Sequence, residues 1–226
     1  MEKARKILTA LRNAGHEAFV VGGAVRDHLL GVSPQDIDIA TSADTTVIQR
    51  AASSQGWRTL EVGVFFGVVV IVVEGSAYDV ATFRTETYGS DSHRPDTVSF
   101  AASLREDLSR RDFTMNAMAL DENGQLIDFF QGQEDLRLGR IRTVGEPRLR
   151  FQEDALRMFR AARFAATFGF EIEPETLAAI SPNLYRVRGL SVERVRDEID
   201  KTLIGRYAPK GLRILRKNCL LHLLTG

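Results

Sequence analysis

Cysteine is almost missing from this chain. One thiol, Cys219, stands among 226 residues, which excludes a disulfide framework and a cysteine-ligated zinc site. Long apolar runs are missing too. The longest, Val68–Val73, is bracketed by Gly67 and by Glu74-Gly75 and falls far short of the ~18 residues that a membrane span needs. The opening "MEKARKILTALRNAGHEA" holds no apolar core followed by a small-residue cleavage site, so no signal peptide is expected. A reducing, cytoplasmic setting without a membrane partner is the expectation. Neither Gly-x-Gly-x-x-Gly nor Gly-Lys-Ser/Thr occurs in the glycine-rich stretch near the start, which sets aside the dinucleotide fingerprint and the Walker loop. There is no internal repeat and no low-complexity tract.

What is present is an ordinary globular composition, 44% hydrophobic and 27% charged, in a chain long enough for one large domain or two small ones. Net charge is zero, with 30 basic and 30 acidic residues. That average hides a polarity. Residues 1–136 hold 12 Lys/Arg against 20 Asp/Glu, and residues 137–226 hold 18 against 10. Arginine supplies 25 of the 30 cations. An acidic half and an arginine-rich half fit a metal-binding and a polyanion-binding region, or simply two solvated surfaces of unlike composition.

The pattern is mixed α/β first and all-helical second. Residues 1–14 read as an amphipathic helix ended by Gly15. "EAFVVGG" is a strand running into a glycine pair, "AVRDHLLG" a short helix, and "QDIDIAT" a strand by its alternation. Ser42 or Asp44 can cap the next helix. "WRTLEV", "GVVVIVVEG" and "SAYDVATFR" read as strands, the last two joined at Glu74-Gly75-Ser76. Residues 85–97 read as a loop, "SLREDLSRRDFTMNAMAL" as helix then extended chain, and "GQLIDFFQG" as strand and turn. Helical patterns then cover 152–168, 174–181, 191–203 and 208–217. Ser191 can cap one of them, with Arg194 where a capping box wants Glu. The division expected is 1–136 and 137–226. The apolar end, with Leu220, Leu221, Leu223 and Leu224, reads as a helix lacking its partner or a self-association face through which the chain would form a homo-oligomer.

Asp36 and Asp38, two apart on an expected strand, would leave one face together. Close carboxylates repel unless a divalent cation lies between them, and hard oxygen ligands suit Mg²⁺. Ahead of them, Gly23 sits in "VVGGAVRD", where a glycine pair between strand and helix lets backbone approach a phosphate and Arg26 adds charge. Asp79 alternates with Tyr78 and Val80 on a third strand. If that strand neighbours the first, three acids converge, as two-metal phosphoryl transfer requires. Each motif alone also reads as a solvated edge or an ordinary turn.

"GGAVRDHLLG…DIDIAT", "RRDFTMNAMAL", "EDALRMFRAARF" and "SVERVRDEIDK" together resemble the class II tRNA nucleotidyltransferase / bacterial poly(A) polymerase family, most like its bacterial CCA-adding members. The resemblance runs from about Phe19 to about Leu203. It implies a polymerase-β-like nucleotidyltransferase head with a small mixed sheet, followed by a helical neck. It makes Asp36 and Asp38 the metal ligands. It sets Gly23 and Arg26 at the triphosphate, and Arg111 and Asp112 at the ribose, whose 2′-hydroxyl both donates and accepts. Asp154 and Arg157 become the pair that reads the incoming base. The Watson–Crick edges of C and A offer an amine to a carboxylate and a ring nitrogen to a guanidinium. U and G would turn a carbonyl toward the carboxylate, which rejects them.

On one continuous helix Asp154 and Arg163 would lie roughly 180° apart, so Arg160 and Arg163 are expected to meet phosphate or to hold Asp154 and the adjoining helices. Ala155, Phe159, Ala162 and Ala166 fall on the core side. Glu193 and Arg196 are expected to brace the neck helices. His93 and Arg94 lie in a loop that, in the family, helps the change from C to A addition. Members usually continue into body and tail domains, which are expected to be absent here. The function implied is addition of CMP and AMP from CTP and ATP to the tRNA 3′ end. The alternatives are a poly(A) polymerase, an A-adding enzyme, or a catalytically idle nucleotide- or RNA-binding fragment.

Overall fold

The computed structural model describes residues 1–60, 67–87, 97–100 and 103–222. Helix α1 (Glu2–Asn13) buries Ala4, Ile7, Leu8 and Leu11, one stripe at helical spacing. Strand β1 (Ala18–Val21) and helix α2 (Gly23–Leu29) follow. Next come β2 (Asp38–Thr41) and α3 (Thr45–Ser54). Of the two candidate caps for α3, Asp44 serves: its carboxylate accepts the Val47 N–H at 2.8 Å. Strands β3 (Arg58–Leu60), β4 (Val68–Val73) and β5 (Ser76–Thr82) come next. Glu74 and Gly75, both at positive φ, turn β4 tightly into β5.

The expected loop at 85–97 begins and ends as strand, in β6 (Arg84–Thr87) and β7 (Thr97–Phe100), which pair as a separate two-stranded sheet. Polar composition concealed them. The reading of His93 and Arg94 falls outside the described residues. Helix α4 (Leu104–Ser109) is capped by Ser103, and a 3-10 turn leads to β8 (Met118–Leu120) and β9 (Leu126–Asp128).

A seven-stranded sheet has the order β3-β4-β5-β2-β1-β8-β9. Only β2 and β5 run parallel; the other neighbours are antiparallel. Helices α1 and α3 pack on it. The all-apolar β4 is buried on alternate residues only, Val69, Ile71 and Val73. Its other face is half-exposed, the side shared with Asp79.

The remainder comprises α5 (Gly132–Arg137), β10 (Arg140–Ile141), α6 (Pro147–Glu153), α7 (Leu156–Phe168), β11 (Glu171–Ile172), α8 (Pro174–Ala178), a 3-10 stretch at Ser181–Gly189, α9 (Val192–Leu203) and α10 (Ala208–Lys217). Strands β10 and β11 form a parallel pair, so this half is not wholly helical. Two-residue strands are too short to show alternation in sequence. The core gathers Phe151, Met158, Phe159, Ala162, Ile180 and Leu215. Gly211 lets α10 approach α7: a Cβ there would meet Ala166 Cβ at 2.7 Å and the Ala162 carbonyl oxygen at 2.8 Å. Leu220 is fully buried in this core and Leu221 packs against it, which corrects the reading of both as an exposed end. Leu223 and Leu224 lie outside the described residues.

By its contacts the chain divides into two units. The first is Met1–Thr85, Val98–Arg111 and Met115–Gln133; the second is Glu86–Thr97, Asp112–Thr114 and Glu134–Gly226.

Candidate active site

In the first unit, Asp38 lies opposite Asp79 across the parallel β2–β5 pair. Register partners share a face, so the two side chains leave together while Ile39 and Val80 are buried on the other side. The sequence reading placed Asp36 and Asp38 on one strand face. Instead β2 begins at Asp38, and Asp36 lies in the bend before it. The reason is lack of a partner: β1 ends at Val21, which pairs with Asp38, and Gly22 then turns the chain into α2. The same-face pair is therefore Asp38 with Asp79.

Above these carboxylates opens a cavity of about 280 Å³, with Val21, Val68 and Ala81 around them and Arg84, Arg110 and Arg111 also lining it. Neither the Asp38 nor the Asp79 carboxylate makes a hydrogen bond or ion pair with another described residue. Desolvation raises the Asp38 carboxyl above its ordinary pKa; the Arg111 guanidinium opposes this, and the nearby Asp79 and Asp36 carboxylates add to it. Arg111 reaches in beside Gly22, where a Cβ would stand 2.7 Å from its Nη1 and 3.9 Å from Asp38 Oδ2. Gly22, at φ +75°, is thus the member of the glycine pair that the site requires. Gly23 faces Arg26, whose Nη2 lies 3.3 Å from its Cβ position. Arg26 is held by Asp27 at 2.9 Å and by the Asn116 side-chain oxygen at 2.6 Å.

No group of three or more His, Cys, Asp or Glu side chains that could hold a metal occurs among the described residues. The donors on offer are nonetheless the right kind. Asp38 and Asp79 are hard oxygen ligands on one face, and their mutual repulsion is what a divalent cation relieves. The residues fit Mg²⁺.

The second unit treats its acids differently. The expected continuous helix breaks at Asp154, between α6 and α7, so Asp154 and Arg163 do not share one helical wheel. The Asp154 backbone is extended (φ −144°), its Oδ1 accepts the Leu156 N–H at 3.0 Å, and its Oδ2 accepts from Arg194 Nη2 at 2.8 Å. Arg157 is buried and donates from Nη1 to Glu153 Oε2 at 2.7 Å and to the Arg150 carbonyl at 3.0 Å. Arg160 donates to Asp112 Oδ2 from Nε at 2.8 Å and to Glu198 at 3.4 Å. Arg163 Nε reaches Glu198 Oε2 at 2.5 Å. The Asp112 charge first, and Glu198 after it, shift the Arg160 pKa up against the cost of burial. For Arg163 burial prevails and lowers it despite Glu198.

Asp38 and Asp79 therefore share one cavity with Arg111. Asp112, Asp154, Arg157, Arg160 and Arg163 belong to the second unit. Glu193 and Arg196, expected to brace the helices, are exposed, and among the described residues Arg196 forms an ion pair only with Asp200 of its own helix, at 3.6 Å. The bracing residues on α9 are Arg194 and Glu198, one helical turn apart and facing Asp154, Arg160 and Arg163. Arg194 stood out in sequence only as a flaw in a capping box, though Ser191 does cap the helix, accepting the Arg194 N–H at 3.4 Å. Asp107, Glu153 and Glu198 were not singled out from sequence, and Gly22 entered only as the unnamed half of the glycine pair.

Residues 18–142 match the family described as Poly A polymerase head domain, and residues 169–225 match one described as probable RNA and SrmB-binding site of polymerase A. The chain belongs to the tRNA nucleotidyltransferase / poly(A) polymerase family. Within it, the chain is 49% identical over 211 residues to the CCA-adding enzyme of Limosilactobacillus fermentum, covering 93% of this chain and 52% of that protein. It is 47% identical over 225 residues to the CCA-adding enzyme of Geobacillus thermodenitrificans, covering 100% and 55%. The chain thus spans about half the length of the curated relatives it matches. Among solved family structures, the Bacillus stearothermophilus CCA-adding enzyme in complex with CTP superposes with a TM-score of 0.86 at 45% identity, over 95% of this chain and 51% of that one. The Thermotoga maritima CCA-adding enzyme complexed with tRNA_CCA gives 0.83 at 29% identity, over 97% and 51%. The expected nucleotidyltransferase head with its mixed sheet is the fold found.

Proposed function

We propose that this chain carries the nucleotidyltransferase centre of a template-independent enzyme that adds CMP and AMP, from CTP and ATP, to the 3′ end of tRNA. The observation that carries this reading is the Asp38–Asp79 pair, in register on one sheet face and making no ion pair with a described residue, in a cavity lined by arginines. Such a pair of acids beside cations fits a triphosphate that arrives with its metal. Residues 1–136 would act as the head and 137–226 as the neck. Relatives named CCA-adding enzyme, and neighbours solved with CTP or with tRNA_CCA, support the choice of substrates.

Asp36 and Asp38 would hold Mg²⁺, which when bound offsets triphosphate charge and lowers the pKa of an attacking hydroxyl. The Asp79 carboxylate would help deprotonate the attacking 3′-hydroxyl or hold the metal on the hydroxyl side. Gly23 gives the phosphates close access to backbone, and Arg26 and Arg111 balance their charge. Arg111 and Asp112 are suited to the ribose 2′-hydroxyl, which donates and accepts. Asp154 accepts from the exocyclic amine of C or A and Arg157 donates to the ring nitrogen. Each Asp154 oxygen already accepts one hydrogen bond and has a second lone pair for an amine. Arg160 and Arg163, bonded to Asp112 and Glu198, hold that region together.

The test offers purified protein, with Mg²⁺, tRNAs ending before CCA, after C and after CC, and each NTP singly and together. Incorporation of CMP followed by one AMP is the expected result. Long A tracts would point to a poly(A) polymerase, a runner-up favoured by the head-domain match. AMP added only to the CC-ended tRNA would point to an A-adding enzyme. CTP binding with no incorporation would leave an idle binding fragment.

A further inference from the structure

Asp107 belongs to none of the sequence motifs, yet it is among the most enclosed charges of the first unit. It lies on α4 and is 1% exposed. Its Oδ1 accepts from Arg110 Nε at 3.1 Å and Nη2 at 2.9 Å, and from the Arg84 backbone N–H at 3.3 Å; its Oδ2 accepts from Arg111 Nη2 at 3.3 Å. Arg84, Arg110 and Arg111 all line the cavity that holds Asp38 and Asp79. One buried carboxylate therefore gathers the cationic residues of that cavity. An ion pair at such spacing on an exposed helix end would contribute little; enclosure makes this one a fixed anchor. Without it, two long cations beside two acids that pair with no described residue would move to those acids. The Nε of Arg111 is buried and meets no acceptor among the described residues, so Asp107 is the one described group that holds this guanidinium by hydrogen bonding.

We propose that Asp107 is a positioning residue for nucleotide binding: it holds Arg110 and Arg111 toward an incoming triphosphate and back from Asp38 and Asp79. The inference rests on reading this cavity as the triphosphate site. Loss of Asp107 should weaken nucleotide binding, and it should do so only through the arginines it holds.

The experiment is equilibrium titration of CTP, with Mg²⁺, into the full chain carrying Asp107→Asn, Asp107→Glu, Arg111→Ala, or Asp107→Asn with Arg111→Ala. Thermal midpoints are recorded alongside. Asp107→Asn should weaken CTP binding about tenfold, as expected for a charge-assisted hydrogen bond. In the Arg111→Ala background the same change should add much less. Equal effects in the two backgrounds, or unchanged CTP binding by Asp107→Asn, overturn the proposal. Should Asp107→Asn fail to fold, Asp107→Glu decides: it keeps the charge but displaces the guanidinium groups, and wild-type CTP affinity there overturns it too. A wild-type chain that binds no CTP would instead refute the nucleotide reading of the cavity and this inference with it.

Discussion

Two acid clusters, one in each unit, dispose of charge in opposite ways. In the first, Asp38 and Asp79 face one another in register and neither pairs with a described cation, although Arg110 and Arg111 line the same cavity. In the second, Asp112, Glu153, Asp154 and Glu198 each accept from an arginine side chain. Both arrangements are built from Asp, Glu and Arg, so composition does not separate them. The difference is what the charges are balanced against. A closed ion-pair network holds helices in place by its own complementarity. An acid pair without a bonded cation raises the energy of the free protein: burial first, and then the Asp79 and Asp36 carboxylates, lift the Asp38 pKa against the pull of Arg111, a cost that a bound cation would offset.

The comparison breaks most sharply at Asp38. Asp38→Asn should lower the rate of nucleotide addition about 10²–10³-fold, the range for loss of one preorganised stabilising group in an active site. Its thermal midpoint should hold or rise, because the cost of burying that charge, with repulsion from Asp79 and Asp36, outweighs the attraction of Arg111. A midpoint that falls in step with activity would make Asp38 a structural residue and erase the contrast between the units.

The mirror experiment is Glu198→Ala. Glu198 is 4% exposed and shared by Arg160 and Arg163. Removing one member of a buried ion pair costs about 3–5 kcal/mol. Arg160 keeps Asp112, which places the expected loss near the lower end. Denaturant unfolding reads it. A variant as stable as wild type would mean that the network is as dispensable as surface pairs are.

Much of the first unit was legible because strands write themselves with period two. The alternation around Asp38 and around Asp79 shows which side chains leave the sheet together, although which strands are neighbours is written nowhere locally. The same rule misled at Asp36, since alternation cannot tell that β1 ends at Val21 and leaves the preceding residues without a partner. In the second unit Glu153–Arg157 sits at helical spacing and could have been noted, as could Asp107–Arg111 in the first. Arg194–Asp154, 40 residues apart, has no sequence signal at all. The break at Asp154 was hidden because helical residues stand on both sides of it.

A smaller effect sharpens the contrast within the second unit. Asp154→Ala should relax the preference for CTP over UTP by about tenfold, a loss of one to two hydrogen bonds' discrimination. It should leave Mg²⁺ dependence unchanged. Competition between CTP and UTP in single-addition assays measures it. If selectivity for C and A survives, Asp154 serves only to hold the Leu156 N–H and Arg194, and its base-reading role falls.

The smallest expected effect concerns pH. Burial alone would push the Asp107 carboxyl up, but Arg111 and Arg110 together with its hydrogen bonds hold it below the ordinary carboxylate value. A carboxyl with a depressed folded pKa contributes stability that is present above its unfolded pKa and lost as pH falls through its folded value. Wild type should therefore exceed Asp107→Asn in unfolding free energy near neutral pH, and the gap should close only below the usual Asp range. Denaturant melts of both proteins, from about pH 6 to about pH 2, follow that gap. A gap that stays constant through the acid range would mean that the Asp107→Asn variant differs from wild type by packing rather than charge, and the anchor on the arginines would then be one of shape.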